Sequence, residues 1–167
     1  RAFGAKVFCT VGNEEKAKAC RDVGADVAIN YKTQDFVEVV MDHTNKQGVN
    51  ILLDMVGGSY IQRNLQSLAP DGRLVQIAFL QPSKVEVDWV SLMAKRLTFT
   101  GSTLRPRTAA DKAQMAKELK QYVWPLLEAG TVKPVIHQVF DLAQANLAHA
   151  LMESSVHIGK IMLKVGD

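Results

Sequence analysis

The sequence predicts an α/β fold built on a doubly wound parallel sheet, and two observations lead to this prediction. First, short apolar segments alternate with segments of helical pattern along the 167 residues. The run VNILLDMV at Val49–Val56 is apolar almost throughout, as strands buried on both faces of a parallel sheet are. Second, capping residues and glycines separate these segments at the spacing of strand-helix units, as Asn13 and Gly24 do around the first helix.

The first half of the chain contains four predicted strands. Lys6–Val11 predicts a buried strand, and Asn13 then serves as the N-cap of a helix. Glu14 and Glu15 follow in the first turn, where the helix dipole favours carboxylates, and Gly24 ends the helix. The next predicted elements are the strand Val27–Asn30, the helix Phe36–Thr44 capped by Asp35, the strand Val49–Val56, the helix Tyr60–Leu68, the turn Pro70-Asp71-Gly72 and the strand Arg73–Ala78.

The second half begins with an irregular segment, Phe79–Val87. Pro125 must kink or interrupt the long helix predicted in this half, because proline has no backbone N–H. The predicted elements are the helix Asp88–Ala94, the strand Leu97–Thr103, the helix Ala109–Ala129, the strand Pro134–Phe140, the helix Leu142–Ser154 capped by Asp141 and the strand Lys160–Val165.

The composition is that of a globular protein, with 47% hydrophobic and 22% charged residues. The net charge of +3 is spread along the chain without a basic stripe, which argues against a nucleic-acid partner. No apolar run approaches the ~20 residues of a membrane helix, and no secretory signal pattern is present. Cys9 and Cys20 fit small apolar positions rather than a disulfide framework, so we expect a cytoplasmic protein.

The end of the second strand carries the main functional signal. In many NAD-binding sheets, an acid at this strand end accepts a hydrogen bond from the ribose 2′-OH. Here the strand ends at Asn30-Tyr31 without an acid, and Lys16 lies one turn into the preceding helix. A lysine ammonium and a helix N-terminus both attract a phosphate, so the pattern predicts NADP as the cofactor.

The glycine-rich G-x-G-x-x-G turn of dinucleotide-binding sheets is not in this sequence. It would lie one strand and one helix before Lys6, and Arg1–Gly4 has the pattern of a helix tail. We therefore expect a sheet that lacks its first β-α unit and a chain that is a fragment.

No residue pattern predicts a metal centre or a catalytic side chain. The four histidines (His43, His137, His149 and His157) lie on separate predicted elements, and no CxxC is present, so we expect no metal ligands. Asp54 is a carboxylate in an apolar strand, and we expect it to bond to neighbouring backbone groups rather than to act in catalysis.

Six segments in this order resemble the zeta-crystallin-like NADPH:quinone oxidoreductases of the medium-chain dehydrogenase/reductase superfamily. They are AKVFCTVGNEEK, VGADVAINY, GVNILLDMVGG, DGRLVQIA, GSTLRPR and HIGKIMLKV. The resemblance implies an N-terminal catalytic domain followed by a Rossmann-like cofactor domain. Residues 1–167 would then be a partial NADP-binding domain, and the segment of about 134–167 would pack toward the absent catalytic domain.

The resemblance also implies four groups of cofactor contacts. Val56 would line the adenine or ribose side, and Ser155 would lie near the pyrophosphate or the nicotinamide. Relatives often have glycine at the position of Ala78, so the nicotinamide contacts depart from the family pattern. The positions implied at the 2′-phosphate are Gly12, Asn13, Lys16 and Tyr31, and those beside the nicotinamide are Ile77, Ala78, Phe79, Leu80, Ser102, Thr103 and Leu104.

The resemblance implies an NADPH-dependent oxidoreductase that transfers hydride to a quinone or a conjugated carbonyl, without catalytic zinc. This chain alone would be inactive. The alternatives are another medium-chain reductase (an enoyl or alkenal reductase, or a zinc alcohol dehydrogenase) and a non-enzymatic NADPH-binding protein.

The strand Leu97–Thr103 is apolar, rich in threonine and late in the chain, so we expect it at an edge of the sheet. An uncovered edge presents unpaired N–H and C=O groups to other chains. Relatives commonly join their cofactor sheets at this strand. The sequence therefore predicts a two-fold homodimer through Leu97–Thr103.

Overall fold

A computed structural model describes residues 1–166 as parallel strands that alternate with helices, which confirms the predicted fold class. The strands are β1 (Phe8–Val11), β2 (Val27–Asn30), β3 (Val49–Asp54), β4 (Leu68–Gln76), β5 (Thr98–Gly101), β6 (Ile136–Asp141) and β7 (Lys160–Lys164). The α-helices are α1 (Glu14–Asp22), α2 (Phe36–His43), α3 (Tyr60–Ser67), α4 (Val90–Ala94), α5 (Ala109–Glu118), α6 (Trp124–Glu128) and α7 (Ala145–Ser154).

The strands form three groups, and every pairing within them is parallel. β1 pairs with β2, β3 to β5 form a sheet in the order β3-β4-β5, and β6 pairs with β7. Within residues 1–166, only β4 has a strand partner on both edges, and each of the other strands has one edge without a partner. Because the carboxyl ends of parallel strands lie at one edge of a sheet, ligands of such folds bind there.

Two apolar clusters hold these sheets to their helices. One contains Leu65 and Leu68, which have no exposed surface. The other contains Ile29 and Phe36, and the half-buried Val49 packs against both clusters. Full burial of a Leu, Ile or Phe side chain contributes about 1.5–3 kcal/mol. Through Val49, β3 connects the cluster that contains Leu65 with the cluster that contains Ile29.

Local signals in the sequence placed the first helices correctly. The Asn13 side chain accepts a hydrogen bond from the Lys16 N–H at 2.8 Å, and the Asp35 side chain accepts one from the Val37 N–H at 2.7 Å. Both predicted caps are therefore confirmed. β2 has the predicted bounds, and the helix predicted at Phe36–Thr44 ends one residue earlier, at His43.

Three predicted details differ in the structure. β4 begins at Leu68 rather than Arg73, because the turn at Asp71 (φ of 60°) lies inside an irregular stretch of the strand. The long helix is interrupted near Pro125 as predicted, but through a π-helical segment, Leu119–Val123, that the sequence did not indicate. Asp141 makes no capping bond, since it ends β6 and a 3₁₀ turn separates it from α7.

No helix in the described part of the chain is long and apolar enough to cross a membrane.

Candidate cofactor-binding site

The carboxyl ends of β1 and β2 meet beside the N-terminus of α1. The Tyr31 N–H donates to the Val11 carbonyl at 3.1 Å, which holds the two strand ends together. The Tyr31 side chain then lies over Gly12, where a Cβ atom would be 2.9 Å from the Tyr31 Oη. The absence of a side chain at Gly12 therefore leaves the room that the tyrosine ring occupies.

Lys16 connects this strand end to a distant part of the chain. Its Nζ donates a hydrogen bond of 2.7 Å to the carbonyl oxygen of Ser155. Ser155 ends α7 in the left-handed conformation, with φ of 58°. The structure thus brings together Lys16 and Ser155, which are 139 residues apart in the sequence.

The electrostatics of this corner favour an anion. Lys16 is half-buried and Lys32 is exposed, while β2 ends at Asn30 without a carboxylate. Of the two acids in the first turn of α1, Glu14 is paired with Arg21. Asn13 caps the start of α1, so the positive end of the helix dipole lies at this corner. The dipole and the lysine ammonium groups both attract an anion. This donor set fits a phosphate group.

The ends of β3 and β4 form a second part of the site. Asp54 is buried, and its carboxylate accepts hydrogen bonds from the N–H groups of Val56 at 2.7 Å and Gly57 at 3.1 Å. This confirms that it bonds to neighbouring backbone. The loop after β4 lies against the same turn, since the Leu80 N–H donates to the Met55 carbonyl at 3.1 Å. Val56 consequently lies beside the segment predicted to contact nicotinamide.

A cleft of about 530 Å³ opens between the ends of β4 and β5. Its lining includes five of the predicted nicotinamide contacts, which are Ile77, Ala78, Phe79, Ser102 and Thr103. Leu80 and Leu104 are outside this lining and are 74% and 61% exposed.

Gln76 is part of the lining of this cleft, and the sequence did not predict a role for it. It is buried, and its Nε2 donates to the Ala78 carbonyl at 2.7 Å and to the Asp54 carbonyl at 3.4 Å. Two facing carbonyl oxygens require a donor, so the amide holds the turn after β4 in place. A glutamine in an apolar strand gave no signal of this role in the sequence.

The Cys9 thiol near this site does not supply a nucleophile. Burial, with a smaller effect of the neighbouring Cys20, raises the pKa of the Cys9 thiol to about 11. The Cys9 thiol therefore stays protonated near neutral pH, and the thiolate is the reactive form. Residues 1–166 contain no group of three or more His, Cys, Asp or Glu side chains arranged to hold a metal ion.

Comparisons with known proteins give a consistent picture. Residues 23–163 match the family described as zinc-binding dehydrogenase. Over 98% of this chain, the sequence is 32% identical to a 2-haloacrylate reductase from Burkholderia sp. Over 98% of this chain, it is 29% identical to the quinone oxidoreductase of Rattus norvegicus. A solved NAD-dependent alcohol dehydrogenase superposes on 99% of the chain with a TM-score of 0.81 and 28% identity.

The chain spans about half the length of these proteins. It covers 49% of the 2-haloacrylate reductase, 48% of the rat quinone oxidoreductase and 45% of the alcohol dehydrogenase chain.

Proposed function

The chain belongs to the zinc-binding dehydrogenase family of the medium-chain dehydrogenase/reductase superfamily, and from this membership we propose that it is the NADP-binding domain of a reductase. Its similarity to about half of each relative supports the idea of a further, catalytic domain. Residues of about 134–167 would pack toward that domain.

The observation that carries the cofactor proposal is the corner formed by Gly12, Lys16 and Tyr31. Lys16 and the start of α1 would bind the 2′-phosphate of NADPH, and the Tyr31 ring would cover it. Ser155 would take part through its backbone, because its carbonyl orients the Lys16 ammonium. A carboxylate in place of Asn30-Tyr31 would repel the phosphate, and none is present there.

The reaction proposed for the whole enzyme is reduction of a quinone or a conjugated carbonyl. The bound nicotinamide supplies the hydride, and no side chain of this chain is assigned to the chemical step. The cleft between β4 and β5 would hold the nicotinamide ring and shield it from water. Gln76 would keep the Ala78 carbonyl fixed at the floor of this cleft.

The relatives support two other reactions. The 2-haloacrylate reductase favours reduction of an alkene conjugated to a carboxylate, and the alcohol dehydrogenase favours carbonyl reduction with NADH. The remaining alternative is a non-enzymatic NADPH-binding protein.

Turnover separates these functions. The protein that contains this domain should oxidise NADPH, followed at 340 nm, when a simple 1,4-benzoquinone is added. Faster turnover with 2-chloroacrylate would favour the haloacrylate-type reaction, and turnover of a simple aldehyde with NADH and bound zinc would favour the alcohol dehydrogenase. NADPH binding without turnover of any of these compounds would contradict the enzymatic proposal.

A further inference from the structure

A second lysine lies beside the corner formed by Gly12 and Tyr31. The Cε of Lys32 is 3.8 Å from the position that a Cβ atom of Gly12 would occupy, on the same side as the Tyr31 hydroxyl at 2.9 Å. The side chain of Lys32 therefore folds back over the end of β1.

The backbone around Lys32 is held in place by several hydrogen bonds. The Lys32 N–H donates to the Asn30 Oδ1 at 3.1 Å, and the N–H groups of Thr33 and Gln34 donate to the Asn30 carbonyl at 3.0 and 2.9 Å. This turn fixes where the lysine leaves the chain. The turn therefore fixes the backbone of Lys32 beside Tyr31, while the side-chain rotamers determine where its ammonium lies.

The Lys32 ammonium differs from its neighbours in having no partner within residues 1–166. Lys16 donates to the Ser155 carbonyl, and Lys18 is paired with Asp22 at 2.6 Å. Near the strand ends, Lys32 is thus a positive charge that no described carboxylate neutralises. It is also exposed, so it is available to a ligand.

We infer that Lys32 is a second cation of the phosphate site and contributes to the choice of NADPH over NADH. Lys16 would approach the 2′-phosphate from the helix and Lys32 from the β2 end, with Tyr31 between them. This inference rests on the proposed function, because it takes the anion to be the 2′-phosphate of the cofactor. Lys32 would then be a further residue that determines cofactor specificity, and the sequence pattern did not predict it.

The test uses 2′,5′-ADP, which carries the 2′-phosphate, and 5′-AMP, which lacks it. Both are titrated into the ¹⁵N-labelled 167-residue chain by NMR, which measures millimolar affinities and shows in the same spectra that each variant is folded. Lys32→Gln should weaken 2′,5′-ADP binding by roughly 3- to 10-fold and leave 5′-AMP binding unchanged. Lys32→Arg should keep the affinity, because it keeps the charge.

Two controls separate the possible failures. Lys18→Gln, a lysine of α1 already paired with Asp22, should change neither affinity. If Lys16→Gln weakens 2′,5′-ADP binding but Lys32→Gln does not, the role of Lys32 is refuted while the proposed cofactor stands. If the unaltered chain does not prefer 2′,5′-ADP to 5′-AMP, the NADP proposal and the role of Lys32 fail together.

Discussion

At the scale of single residues, Gly48 is a position where the surrounding backbone leaves no room for a side chain. It precedes β3 with φ of 83°, and a Cβ atom there would be 2.6 Å from the Ser67 carbonyl oxygen and 2.7 Å from the Leu68 carbonyl carbon. Both neighbours are main-chain atoms at the junction of α3 and β4, so they cannot rotate away. The glycine therefore allows β3 to approach this junction closely.

We predict that Gly48→Ala lowers the free energy of unfolding by about 2–4 kcal/mol. The value combines the cost of a left-handed backbone with the cost of overpacking. Gly4→Ala is the matched control, because Gly4 has φ of 86° but nothing within 4 Å of its Cβ position. It carries the left-handed cost without the overpacking, so it should lose only about 1–2 kcal/mol. Equal losses in urea unfolding would show that the close approach at Gly48 has no effect.

The residues of the site differ in how far the sequence could identify them. Gly12, Lys16 and Tyr31 follow from local pattern, because each adjoins a strand end or a helix start. The family resemblance implied Ser155 near the pyrophosphate or the nicotinamide, and its contact with Lys16 was not predicted, since it spans 139 residues and leaves no local signal. Lys32 adjoins Tyr31 and could have been found from charge, whereas its position over Gly12 depends on the turn at Asn30.

At the scale of elements, β5 has an edge without a strand partner within residues 1–166. The Ser102 N–H donates to the Gln76 carbonyl of β4 at 3.0 Å. Alternate residues of a parallel strand direct their N–H groups to opposite sides, so the N–H groups of Phe99 and Gly101 point away from β4. These N–H groups are available to pair antiparallel with β5 of a second copy, as the predicted two-fold dimer requires.

We predict that Gly101→Pro shifts the protein from dimer to monomer, because it removes one outward N–H and leaves the bond from Ser102 to β4 in place. Sedimentation velocity measures the change. Gly101→Ala keeps the N–H, and its Cβ would be 3.5 Å from the nearest atom, the Gln76 carbonyl oxygen, so it should remain dimeric. A folded Gly101→Pro variant that still sediments as a dimer would locate the interface elsewhere.

The accuracy of the predicted elements follows from how local their signals are. β2 and α2 were located within one residue, because glycines, caps and apolar runs mark their ends. Pro125 was predicted to kink or interrupt Ala109–Ala129, but the π-helical segment was not predicted, since a proline shows that an N–H is missing but not how the backbone adjusts. Asp141 has a capping residue's chemistry, but pairing of β6 with β7 extends the strand through it.

At the scale of the whole molecule, one face of the β3-β4-β5 sheet is uncovered. Ile51, Leu53 and Met55 alternate along β3 and its end, and they are 69%, 65% and 52% exposed. Parallel sheets are normally buried on both faces, so this surface is unusual for a complete α/β sheet. In the sequence this run is apolar almost throughout, as in a strand buried on both faces, so the exposure of one face was not predicted.

We predict that the 167-residue chain alone binds NADPH only weakly and reduces no quinone. The sequence has no G-x-G-x-x-G turn, whose backbone N–H groups bind the pyrophosphate in related sheets. Isothermal titration calorimetry and a quinone assay on this chain provide the test. Micromolar affinity, or turnover by the chain alone, would contradict the prediction.

The central claim, that the corner of β1, β2 and α1 recognises the 2′-phosphate, is tested most directly by charge reversal at Lys16. NADPH and NADH are titrated by NMR into the unaltered chain, Lys16→Glu and the control Lys18→Glu, which makes the same charge change in the same helix. Lys16→Glu should weaken NADPH by about 1–3 kcal/mol and NADH far less, while Lys18→Glu should alter the preference little. An equal loss for both cofactors, or no loss of NADPH affinity in Lys16→Glu, would contradict the claim.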